Sequence, residues 1–67
     1  MTNEEKVKRV YPDAQCVLAA NGTYVVWAFI SGECTWLGEA ENVADAWADA
    51  WADAWERIQK AGSVRNG

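Results

Sequence analysis

Histidine is absent from the sequence, cysteine occurs twice and proline once, and no stretch approaches the ~18 consecutive apolar residues of a membrane span. Each shortage excludes a class of chemistry. Without an imidazole, neither a serine nor a cysteine nucleophile has its usual base. Two thiols, Cys16 and Cys34, cannot complete a four-ligand zinc site and fall short of the disulfide framework of a small secreted domain. They read as small buried hydrophobes. There is no glycine-rich phosphate loop and no calcium-loop pattern with a closing Glu. The expectation is a chain that is not an enzyme and binds no cofactor or metal. The opening MTNEEKVKRVYPDA is charged and lacks the apolar core of a signal peptide, which points to the cytoplasm.

What is present is apolar and acidic. Of the 67 residues, 51% are hydrophobic and five are Trp, enough for one compact domain spanning 1–67 without staples. Ten acidic residues against six basic ones give a formal charge of −4, which disfavours direct binding to nucleic acid and suits a protein partner with a basic surface.

Thr2 or Asn3 caps a short helix to about Val10, with Glu4 and Glu5 at its positive end, and Pro12 ends it. Asn21-Gly22 and Ser31-Gly32 then punctuate QCVLAANGTYVVWAFISGECTWLG as two-residue hairpin turns. Three antiparallel strands follow, at about 15–20, 23–30 and 33–37. Two-residue loops set Leu18 opposite Val25, Trp27 opposite Trp36 and Phe29 opposite Cys34 on one face. They also put Cys16 and Cys34 on that face, roughly 10 Å apart and too far for a disulfide. The other face carries Val17, Ala19, Tyr24, Val26, Ala28, Ile30 and Leu37. Both faces are therefore apolar. Either the N-terminal helix partly covers the second face or that face is a contact surface.

The segment ENVADAWADAWADAWERIQKAG is a long helix starting near Glu41 or Asn42, with Gly62 as its stop. Trp47, Trp51 and Trp55 recur every four residues and are expected to pack across the sheet, with Trp51 the most buried. If the sheet is covered on its other face, Trp27 and Trp36 become the surface exceptions. Asp45, Asp49 and Asp53 recur at the same interval on the face opposite the tryptophans, and Glu56 extends the row. Like charges at i, i+4 repel by a few tenths of a kcal/mol. The row is either a solvated face or a ridge that meets a positively charged partner, joined by Glu39 and Glu41 at the helix entrance. Repeat expansion of AWAD alone also accounts for the regularity. The fold class is α+β: short helix, three-stranded meander, long helix packed on the sheet.

The residues VKRVYPDAQC, NGTYVVW and WLGEAENVADAWADAW resemble a pattern in short phage-encoded proteins. Among these, small acidic members are similar to anti-CRISPR proteins. The resemblance implies an inhibitor that blocks a basic nucleic-acid-binding surface of a bacterial defence complex, acting in the host cytoplasm on a subunit of a CRISPR interference complex. The alternative is a non-inhibitory phage or bacterial interaction protein docking through an apolar sheet face. The α-β-β-β-α order also resembles the double-stranded-RNA-binding domain. However, the acidic residues at the start of the last helix, Glu39 to Asp49, would repel phosphate where that domain places Lys and Arg.

Overall fold

The computed structural model describes the backbone of residues 1–66 and the side chains of residues 1–60. Its order is α1 (Asn3–Val10), β1 (Gln15–Leu18), β2 (Tyr24–Ile30), β3 (Glu33–Ala40) and α2 (Val43–Asn66). The strands form one antiparallel sheet in the order β1-β2-β3, so the expected α+β architecture is observed. Thr2 is the N-cap of α1. Its hydroxyl accepts from the Glu5 amide at 3.1 Å while the Glu5 carboxylate accepts from the Thr2 amide at 3.0 Å. These reciprocal bonds satisfy donors that a helix start leaves unpaired, and they hold the Glu5 carboxyl below the ordinary carboxylate range.

The two hairpins differ. Ser31 and Gly32 both have positive φ, 55° and 82°, and close a two-residue loop between the paired Ile30 and Glu33, as expected. At the first hairpin only Gly22 has positive φ, 90°. Asn21 stays on the ordinary side and uses its side-chain oxygen to accept the Thr23 amide at 3.1 Å. The loop therefore takes three residues, closed by the Ala19 amide on the Thr23 carbonyl at 2.7 Å. Val17 consequently pairs with Val25, and Leu18 with Tyr24. This one-residue slip corrects the expected Leu18–Val25 register and exchanges the faces of β1. Cys16 now shares the face of Val26 and Cys34 that of Phe29, so the cysteines lie on opposite faces and both are free.

Trp27 pairs with Trp36 but Val26 pairs with Gly38, leaving Leu37 as an extra residue in β3. The bulge lets Leu37 and Gly38 both turn inward, where both are buried. Gly38 does not end the strand, which runs on to Ala40.

The long helix covers the inner face, that of Val26, Ala28 and Leu37, and not the face of Trp27 and Trp36. The side chains it turns to the sheet are alanines: Ala46, Ala50 and Ala54 are all fully buried. Gly38 is what admits the helix so closely. A Cβ at that position would lie 2.6 Å from the Ala50 backbone nitrogen and 3.0 Å from the Ala46 carbonyl oxygen. The tryptophan stripe sits about 100° around from the alanines and meets α1, whose backbone comes close to α2 but to no strand. Trp47 is 5% exposed, Trp51 half-buried and Trp55 51% exposed. The expected order, with Trp51 most buried, is thus corrected, while Val7 of α1 joins the buried cluster of Val26, Ala28 and Leu37, so α1 contributes to the cover of that face. Lys8 Nζ lies 5.6 Å from the Trp47 ring and Lys6 Nζ 5.7 Å from that of Trp51, so the basic residues of α1 pack on the indoles. The helix continues through Gly62 to Asn66, so Gly62 is not its stop. Asn42 caps its start, accepting the Asp45 amide at 2.8 Å.

Candidate protein-binding surface

Strand alternation places Val17, Val25, Trp27, Phe29, Cys34 and Trp36 on the outer face. Trp36 is 60% exposed and Phe29 51%. Trp27 is half-buried and meets Phe29 edge-on, with ring centroids 5.4 Å apart. No element covers this face among the described residues. The surface exceptions are therefore Trp27 and Trp36, as the sequence suggested for a sheet covered on its other side. Phe29 and Val25 share that face as expected, and Val17 joins them because β1 slips.

The carboxylates singled out in the sequence are dispersed along the β3 side and engaged differently. Glu39 lies on the outer face opposite Val25, beside Thr23 Oγ1 and accepting from Asn21 Nδ2 at 3.4 Å. Asp49 accepts the Glu39 backbone amide at 3.1 Å, tying α2 to the β3 edge. Asp45 accepts from the Asn42 side chain at 2.9 Å in the first turn of α2, where a carboxylate is favourable. Asp53 pairs with Arg57 at 2.8 Å, which holds the guanidinium above its ordinary pKa. Glu56 faces Lys60 at 3.8 Å. Glu41 is exposed. The row is thus not a uniform ridge: its C-terminal half carries its own cations, and its N-terminal half serves the fold.

Glu39, Asp49 and Asp53 border a groove of about 380 Å³ with Trp36, Leu37 and Gly38. Within it, Glu39 and Asp49 face no Lys or Arg among the described residues. A second groove, about 570 Å³, lies between the starts of α1 and α2 and is lined by Met1, Val43 and Trp47. Among the described residues no three of Cys, Asp or Glu are disposed to hold a metal ion. No described helix is long and apolar enough to cross a membrane.

The outer face was half legible. The apolar alternation of YVVWAFI signals a strand buried on both sides, but which side lacks a cover depends on the alanine-only helix face, which a tryptophan-based reading misplaces. The chain matches no protein-family model, no curated protein and no solved structure.

Proposed function

We propose that this protein is a binding module that docks onto another protein through the outer face of its sheet. The observation that carries the reading is the exposure of Trp36 and Phe29, 60% and 51%, on a face no other element covers. Aromatic side chains dominate binding energy at protein interfaces when they are fully desolvated. Here the sheet holds Trp36 and Phe29 out on one face and packs alanines on the other.

A second reading is the acidic competitor, an inhibitor of anti-CRISPR type that occupies a basic surface and excludes nucleic acid. It is favoured by one specific feature, the uncompensated Glu39 and Asp49 beside Trp36. The Asp53–Arg57 and Glu56–Lys60 pairs weaken it for the rest of the row. The two readings share the β3 side of the outer face and differ in which term dominates.

Affinity capture from a bacterial lysate, run with three forms of the chain, separates them. The combined Phe29→Lys and Trp36→Lys variant should keep its melting temperature and lose the partner held by the parent, whereas Asp49→Asn, on the acidic side of the groove, should keep it. Binding that survives the first variant and falls with the second would transfer the site to the acidic row. Capture at low and at moderate salt adds the second axis, since an electrostatic contact weakens steeply over that range.

A further inference from the structure

We propose that the element received by the outer face is a single amphipathic helix of the partner, with arginine or lysine on the flank that overlies β3. This inference rests on the sheet-face reading and names what the face takes.

Size argues first. Three strands at about 4.8 Å spacing put the outer strand axes roughly 10 Å apart, and seven residues of β2 extend about 23 Å. That footprint fits one helix, about 10 Å wide and roughly 15 residues long. A second copy of this chain fits poorly. Self-association would bring two chains of charge −4 together at Glu39 and Asp49.

Layering argues next. The sheet is apolar on both faces, and α2 already covers the inner one with a helix. An antiparallel sheet that leaves one face to solvent ordinarily carries polar residues there, so an apolar outer face is one fitted to receive a further layer.

Charge then sets the partner's flank. Lys6, Lys8 and Arg9 are on α1, and Arg57 and Lys60 on α2, so no described cation lies on the outer face. Glu39 and Asp49 sit beside the exposed Trp36 indole without one. A guanidinium is planar, stacks on an indole and donates to a carboxylate at once. A single strand of nucleic acid could stack on the same rings, but its phosphates would meet those carboxylates.

The test uses the full chain and three 16-residue synthetic peptides. One is a helix with a leucine stripe flanked by arginines; the second replaces each arginine with glutamate; the third carries a central proline that breaks the helix. Amide and indole shifts in NMR report the site. The arginine-flanked helix should perturb Val25, Trp27, Phe29 and Trp36, and Trp36→Ala should weaken it at least tenfold. Asp49→Asn should flatten its salt dependence. The other two peptides should bind at least tenfold more weakly.

Equal binding of the proline peptide, or of the glutamate peptide, at the outer face would overturn the helix or the charge inference while leaving the face as a docking surface. Binding of the arginine peptide only at the groove beside Met1 and Val43, or no binding at all, would overturn both. Tighter binding of oligo-dT at the face would replace the protein partner with a single strand. Sedimentation showing a dimer that Trp36→Lys abolishes would replace it with a second copy.

Discussion

The two faces of the sheet use opposite residues for opposite ends. The inner face buries Val26, Ala28 and Leu37 against Ala46 and Ala50, and the largest fully buried side chains are only Val7 and Val26. The outer face presents Trp36 and Phe29 to solvent. Apart from Trp47, hydrophobic bulk therefore does not mark the core here. Small side chains let a helix approach the sheet until backbone meets backbone, and dispersion between closely spaced atoms then replaces the area a larger side chain would bury. The bulk is left for α1 and for the outer face.

The strongest way to break this comparison is to treat two tryptophans alike. Trp47 is 5% exposed and sits between the helices and the core. Trp47→Ala should cost about 3–5 kcal/mol, close to the whole stability of a domain this small, so the variant should be largely unfolded by circular dichroism. Trp36→Ala, on the outer face, should shift stability by less than about 0.5 kcal/mol. Similar urea midpoints for the two would mean that the outer face is covered in solution.

Gly38 tests the close approach itself. Gly38→Ala sets a methyl 2.6 Å from the Ala50 nitrogen, and the obstacle is helix backbone, which cannot rotate aside. The helix must lift, at a cost of about 1–3 kcal/mol. Gly38→Ala should lower the urea midpoint clearly. A neutral result would show that α2 rides higher on the sheet. Trp55 gives a smaller contrast within the same stripe. It is 51% exposed and lies at a tilt against Trp51, ring centroids 6.0 Å apart, so Trp55→Ala should cost well under half of what Trp47→Ala costs in the same melt.

The sequence carried the element order because its signals are local: a capping box at Thr2 and Glu5, positive-φ turn residues at Gly22, Ser31 and Gly32, and a four-residue helical period. Two features were not local. Whether Asn21-Gly22 closes a two- or three-residue loop depends on whether Asn21 itself takes positive φ, and that choice decides the face of every β1 side chain. Which stripe of a helix repeat faces the sheet depends on what the sheet can admit. Gly38, turned inward by the Leu37 bulge, admits alanine and backbone, so the alanines won the sheet and the tryptophans were turned toward α1. The acidic row is only partly a row of free charge: Arg57 and Lys60 at i+4 pair with Asp53 and Glu56, whereas Glu39, Glu41, Asp45 and Asp49 face no Lys or Arg among the described residues.

The smallest expected effect is the finest probe of the two faces, because each carries one thiol. Cys16 is on the inner side and partly buried, whereas Cys34 is exposed on the outer side. Burial raises the Cys16 thiol above its ordinary pKa, and the nearby Glu4 carboxylate raises it further. Since the thiolate is the reactive form, iodoacetamide at neutral pH should label Cys34 faster, by roughly tenfold. Mass spectrometry of timed digests reads both rates at once. The sign of the linkage follows: a thiol whose folded pKa is raised binds its proton more tightly when folded. Its stabilising contribution is intact below the ordinary thiol value and is lost as pH rises through the raised one. A Cys16→Ala variant should therefore lose part of the alkaline decline in melting temperature. Alkylating Cys34 should leave the melting temperature in place and weaken docking at the outer face. Equal labelling of the two thiols would put Cys16 on the outer face, which only the two-residue loop at Asn21-Gly22 allows. The assignment of Val17 to the docking surface would fall with it.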